Sequence, residues 1–270
     1  MKNKKVLIIG LVLLVLVGGG VLAATKMGKK SAEEATQEDG KKKKKKITEP
    51  LNVIDAAERP YIQLAPLADG RNIIIIVKNV KKEATDADYE LEYQAGELLQ
   101  GAFGNIELAT VPANKQIMFG SCSAGGACTY HSNIKGGKLL IRFNGPENYA
   151  LRQEWKYFDN KAGESQFSSK DAKFQLSSKD LGKQRFIIIY NSPGYAEGLE
   201  NKTVVSEPYS LAASATLKGT ADLTMRATEE GDLMIMGYDG KKWTEFESEA
   251  DGKTVTGEVD LMEMYVVVKK

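Results

Sequence analysis

The sequence predicts an all-β protein with an N-terminal transmembrane helix, a disordered lysine-rich linker and two antiparallel β-sandwich domains. Three observations predict it. Residues 6–24 are nineteen consecutive uncharged residues, all apolar or glycine. Residues 25–50 are polar and rich in lysine. Past Pro50, short apolar runs alternate with turn residues every eight to twelve positions, with no amphipathic helical period between them.

Residues 1–24 form the predicted anchor. As a helix, 6–24 rises roughly 28 Å, close to the hydrocarbon thickness of a bilayer. A buried core helix would keep a polar stripe, and this stretch has none. A cleaved signal peptide is the rival, with Val21 and Ala23 placed as the small residues of a cleavage site. The apolar stretch exceeds the roughly 7–15 residues of a signal core, which favours a retained anchor. Lys2, Lys4 and Lys5 precede the segment, whereas Lys26, Lys29 and Lys30 follow it. Long domains translocate largely regardless of such charges, so the globular part is expected outside the cytoplasm.

Charge is divided sharply along the chain. The net charge is +1, yet residues 1–50 carry twelve lysines against five acidic residues, leaving a net of −6 on the remainder. A globular part of that sign is a poor nucleic-acid binder. Lys41, Lys42, Lys43, Lys44, Lys45 and Lys46 form an unbroken run in the linker, where mutual repulsion favours an extended chain. Its expected partner is an anionic lipid surface or wall polymer, beside the bilayer that takes residues 6–24.

Residues 51–158 are expected to form the first sandwich. "RPYIQLAP" (59–66) alternates, and "NIIIIVKNV" (72–80) is a β-branched run suited to a strand buried on both faces or at a sandwich centre. In "DYELEYQ" (88–94), Tyr89, Leu91 and Tyr93 share one face against Glu90, Glu92 and Gln94. "GNIELAT" (104–110), "KQIMFGS" (115–121) and "KLLIRFN" (138–144) follow as strands. "YALRQEWKYF" (149–158) sets Leu151, Gln153, Trp155 and Tyr157 on one side. Residues 159–184 are polar and hold a nine-residue repeat, "QFSSKDAKF" then "QLSSKDLGK", which suits an inter-domain connection with strands of its own.

The second sandwich is expected over 185–270. "RFIIIYNS" (185–192) is a buried-strand run, and Ala221, Leu223 and Met225 alternate with Asp222, Thr224 and Arg226. Asp239-Gly240 in "YDGKKW" and Asp251-Gly252 in "ADGK" are hairpin signals. "MYVVVKK" should be a final strand paired inside the sheet.

Over 205–270, "TLKGTADLTMRA", "LMIMGYDGKKWTEF" and "KTVTGEVDLMEMYVVV" resemble ZU5-like β-sandwich modules, which carry a "YDG-x-x-W" hairpin. The spacing of 58–94, with "YELEY" after a turn, is similar to fibronectin type III-like modules, although the cysteine-bearing hairpin departs from that pattern. Together these motifs resemble bacterial single-pass surface proteins built from tandem β-sandwiches. Such a resemblance implies an architecture and no activity.

Catalytic constellations are sparse. His131 is the single histidine, so any Ser-His-Asp or Cys-His arrangement must use it. No phosphate-binding loop, zinc helix or nucleophile elbow is present, and no cofactor is implied. Paired carboxylates of a surface carbohydrate hydrolase remain an alternative, with Trp155 and Trp243 as sugar platforms against a core or rim role. A cytoplasm-facing sensor is the reading for an inverted topology. Asp86, Asp88 and Asp251 could serve calcium, but none lies in a D-x-[DN]-x-[DN]-G loop, and turn roles suit them better.

"GSCSAGGACTYH" (120–131) holds Cys122 and Cys128, the two cysteines, with His131. Two hairpin arms around a "SAGGA" tip would bring the Cα atoms to the roughly 5.5–6 Å a disulfide prefers. Zinc would need a fourth ligand at unusual spacing, and free thiols fit a reducing compartment. A disulfide, and with it an oxidising location, is the expectation. Tyr130 and His131 beside it, Tyr195 in "NSPGYAEG" and Trp243 in "YDGKKW" are the candidate binding-loop residues. The whole predicts a non-catalytic cell-surface structural or adhesion module.

Overall fold

Among the described residues, strand alternation in the sequence is converted into four sheets. A computed structural model of the protein describes residues 36–38 and 46–270. The predicted anchor at 1–24 and the lysines 41–45 lie outside the described residues. Among those described, no helix is long and apolar enough to cross a membrane.

The first strands are β1 (Thr36–Glu38), β2 (Ile62–Pro66), β3 (Asn72–Val77), β4 (Asp86–Ala95), β5 (Leu98–Glu107) and β6 (Ala113–Met118). A small hairpin of β7 (Gly120–Cys122) and β8 (Cys128–Tyr130) precedes two long strands, β9 (Ile134–Asn144) and β10 (Tyr149–Asp159). β11 (Gln166–Ser168) and β12 (Phe174–Ser177) lead to β13 (Phe186–Asn191), β14 (Tyr209–Ala213) and β15 (Thr220–Arg226). β16 (Leu233–Tyr238), β17 (Trp243–Phe246), β18 (Glu249–Asp251), β19 (Thr254–Asp260) and β20 (Met264–Lys269) close the chain.

Ten strands make one sheet in the order β1-β5-β4-β9-β10-β13-β14-β20-β16-β17. It is antiparallel except where β1 joins the edge of β5 in parallel. A three-stranded sheet, β2-β3-β6, shares a core with one end of it, where Leu64, Ile75, Leu139 and Trp155 are packed. A five-stranded sheet, β11-β12-β15-β19-β18, shares a second core with the other end, around Phe174, Leu223, Val255 and Tyr265. The β7–β8 hairpin stands as a fourth, two-stranded sheet.

The junction between the two strand series is a pair of hydrogen-bonded neighbours, β10 and β13, running from Trp155↔Tyr190 to Asp159↔Phe186. Ile188 and Tyr190 enter the first core, whereas Ile187 and Ile189 enter the second. Successive strand side chains point to opposite faces, so a strand between two cores must be apolar at every position. That is why "FIIIY" shows no alternation. Of the two expectations for the isoleucine run of β3, the central strand of its three-stranded sheet, burial on both faces does not hold. Ile73, Ile75 and Val77 are fully buried, but Ile74 and Ile76 are only half-buried, because β3 belongs to an outer layer with one face on a core.

Residues 159–184 are more than a connection. β12 pairs with β15 from Phe174↔Met225 to Ser177↔Asp222, and Phe167, Phe174, Leu176 and Leu181 enter the second core. The repeat places Ser169 and Ser178 at matching buried turns. Ser169 Oγ accepts from the Phe174 N–H at 3.2 Å, and Ser178 Oγ accepts from Leu181 N–H at 3.1 Å while donating to the Thr220 carbonyl at 2.6 Å. These serines are turn formers.

At the end of the linker, Glu49 meets Arg142 at 3.3 Å and the Ile47 N–H reaches Glu90 Oε1 at 3.4 Å. Residues 46–50, expected as part of the extended tether, are therefore held against β4 and β9.

Candidate binding surfaces

Two exposed regions collect the residues singled out from the sequence. The first is the β7–β8 hairpin. The ladder Gly120↔Tyr130, Ser121↔Thr129, Cys122↔Cys128 continues to Ser123, whose N–H donates to Ala127 O at 2.8 Å. The alternation of an antiparallel ladder makes Cys122 and Cys128 a directly opposed, non-hydrogen-bonded pair, the type with the closest Cα atoms. They form a disulfide with Cα atoms 4.0 Å apart, closer than the spacing expected from the sequence. Both cysteines are consumed by it, and the metal and thiol alternatives give way. Among the described residues no group of three or more His, Cys, Asp and Glu is placed to hold a metal ion.

At the hairpin base, Arg71 stacks its guanidinium 4.4 Å from the centre of the Tyr130 ring, and Tyr130 remains 42% exposed. His131 turns the other way, its Nδ1 lying 2.9 Å from Tyr93 Oη. Burial lowers the His131 pKa from its ordinary 6.5 and pushes the Tyr93 phenol up to about 12. The Tyr93–His131 hydrogen bond ties the hairpin base to β4, so His131 buttresses the hairpin. Because unfolded histidine takes up its proton first as pH falls through about 6.5, this contact loses stability on acidification. Proton NMR titration of the single histidine should return a pKa below 6.5 in the folded protein.

The second region joins the loops 191–198 and 238–243. Trp243 Nε1 donates to the Glu197 carbonyl at 2.8 Å, and Tyr195 and Trp243 pack in one apolar cluster with Met264 and Tyr238. Tyr238 lies 5.2 Å from Trp243 and 6.2 Å from Tyr61, edge-on to the latter. Lys81 sits 4.9 Å over the Tyr195 ring and donates to the Tyr195 and Ala57 carbonyls at 3.0 and 2.9 Å. Three half-buried aromatic rings, Tyr195, Tyr238 and Trp243, thus share one surface, with the buried Tyr61 beneath them. Trp155, by contrast, is fully buried and offers no platform to a sugar.

No protein-family model, curated protein or solved structure matches the chain. Its function must therefore be argued from the chain itself.

Asp86 and Asp88, expected in a turn, lie on β4, and their carboxylates are taken up by amides and a guanidinium. Asn105 Nδ2 donates to both, at 2.6 and 2.9 Å, and Arg142 pairs with Asp88 at 2.7 Å. Asp251 stands exposed at the end of β18. A carboxylate that sequence inspection missed is Asp171, in a small cleft with Glu154, Lys170 and Glu207. Burial pushes its pKa up, but hydrogen bonds from Ser169, Tyr209 and the Lys173 N–H outweigh this and hold it below the usual carboxylate range. The Tyr209 hydroxyl donates at 2.6 Å. Tyr209→Phe should cost about 1 kcal/mol near neutrality, the value of a partly exposed charge-assisted bond. A group with a depressed folded pKa stabilises above its unfolded value, near 3.9, and that stability is lost as pH falls through the folded value. The difference between Tyr209→Phe and the parent in urea titrations should therefore shrink in acid.

Proposed function

We propose that the chain is a membrane-anchored, extracytoplasmic β-sandwich protein that serves as a non-catalytic cell-envelope structural or adhesion and binding module. In this reading residues 6–24 hold it in the bilayer, the lysine run 41–46 lies against an anionic surface, and two sandwiches share one long sheet. The supporting observation is the Cys122–Cys128 disulfide at a solvent-exposed hairpin. Disulfides persist in oxidising compartments and are rare in the cytosol, where thiol reductants keep exposed cysteines reduced. The apolar segment 6–24 favours the same side of the membrane by giving the chain a route across it. The resemblance of 205–270 to ZU5-like modules and of 58–94 to fibronectin type III-like modules agrees with a surface role.

Protease shaving of intact cells, with detection of the C-terminal strands, tests the location. Residues 51–270 should be digested together with a known surface protein. Their survival while that protein disappears would overturn the proposal. Thiol titration supplies a second check: the untreated folded protein should show no free thiol, and two after reduction. Closing so short a loop stabilises by about 2 kcal/mol on the chain-entropy account, so a Cys122→Ser, Cys128→Ser variant should still fold.

A further inference from the structure

Given the binding-module reading above, we propose that the cleft beside β14 takes an extended, lysine-bearing peptide strand. β14 pairs with β13 along its whole length, from Asn191↔Tyr209 to Ile187↔Ala213. Its ladder with β20 ends after Tyr209↔Tyr265 and Ser210↔Met264. One more bond, Leu211 N–H to Glu263 O at 2.9 Å, marks the fork. Beyond it the strands part, because the Leu261 N–H goes to the Gly219 carbonyl at 2.8 Å and the Met262 N–H to Tyr265 Oη at 2.7 Å. The fork opens into a cleft of about 340 Å³, within the size range of ligand sites.

Three features of this cleft suit a polypeptide. The first is a strand edge. Leu211 N–H points toward β20 and Ser214 N–H toward Phe186 of β13, so alternation turns the N–H and C=O of Ala213 into the cleft. An extended chain of two or three residues, at roughly 3.3 Å each, can add there as a further strand. The second is Gln63, an amide-bearing residue that lines the cleft while only 8% exposed. An amide carries both a donor and acceptors, the complement of another peptide group.

The third feature is charge. Asp239 and Glu263 are the charged residues of the lining, and both are acidic. The Lys242 and Lys241 N–H groups hold the Asp239 carboxyl below the usual range, and Glu263 accepts from the Tyr61 hydroxyl at 3.3 Å. The rest of the lining is aliphatic or small, with Leu211, Leu217, Leu261 and Met262 its largest apolar members. Such walls fit the alkyl stem of a lysine whose ammonium reaches the carboxylates. They offer no aromatic face to a sugar ring.

The test uses the full chain in detergent micelles and a fluorescein-labelled synthetic peptide of alternating valine and lysine, read by anisotropy. Saturable binding is expected, weakening as salt is added. Ala213→Pro removes the edge N–H and should lower affinity about tenfold or more. Gln63→Leu should weaken binding severalfold, and Asp239→Asn with Glu263→Gln should flatten the salt dependence. Should Ala213→Pro fail to fold by circular dichroism, the Asp239, Glu263 double variant decides. Unchanged affinity in the deciding variant, equal binding of a valine–glutamate peptide, or displacement of the peptide by a neutral oligosaccharide overturns the proposal. Absence of peptide binding removes it as well, while the envelope location, read by shaving, stands or falls separately.

Discussion

Trp155→Ala is expected to cost about 4 kcal/mol, as the loss of a fully buried aromatic side chain and the cavity left behind. Trp155 is fully buried on β10, stacked 6.2 Å from Phe119, and stands between Gly137 of β9 and Tyr190 of β13. Its indole N–H is buried without a partner among the described residues. Trp155→Phe should therefore behave quite differently. It keeps most of the ring volume and removes the orphan donor, so its cost should be about 1–2 kcal/mol. Urea unfolding separates the two, through a large fall in midpoint for alanine and a small one for phenylalanine at similar slope. Equal costs would show that the ring is not the centre of the first core.

Gly136→Ala should be comparably severe, at about 3 kcal/mol or more, for a backbone reason. Gly136 has φ +111°, in the region that side chains avoid, and an added methyl would overlap the Trp155 carbonyl and stand 2.7 Å from the Lys156 Cα. Both obstacles are main chain and cannot rotate away. Its neighbour Gly137 is held similarly, with the Glu92 carbonyl and the Tyr93 backbone against any Cβ. A methyl at Gly96 is a useful contrast, because it meets nothing within 4 Å although φ is +60°. Gly96→Ala should show the conformational cost alone, on the order of 1 kcal/mol. Parallel urea titrations of Gly136→Ala and Gly96→Ala measure the difference.

These glycines also show where sequence patterning stopped being informative. "IKGGKLLIRFN" carries two glycines in its first half, and the strand was expected only from Lys138. β9 in fact begins at Ile134, because the glycines lie between β4 and β10, where neighbouring backbones approach too closely for side chains. Elsewhere local signals carried far. The Tyr89, Leu91, Tyr93 and Leu151, Gln153, Trp155, Tyr157 alternations give the buried faces of β4 and β10, including the buried Gln153. Asp239-Gly240 and Asp251-Gly252 sit at the β16–β17 and β18–β19 turns.

The candidate surfaces were legible in part. The adjacency of Cys122, Cys128, Tyr130 and His131 is a consequence of one hairpin, and a short loop between two arms is a local property. The meeting of Tyr195 with Trp243, Tyr130 with Arg71 and His131 with Tyr93 spans distant segments. No periodicity encodes it.

By itself the sequence determined the all-β class, the buried face of most strands, the tight turns and the disulfide hairpin, because each depends on side-chain alternation or turn chemistry within about ten residues. Tertiary structure alone decided that β13 divides its side chains between two cores and that 159–184 joins the second sheet. It also decided that β14 and β20 part to open a cleft. A period of two records that a face is covered and is silent about what covers it, since the covering strands lie far away along the chain.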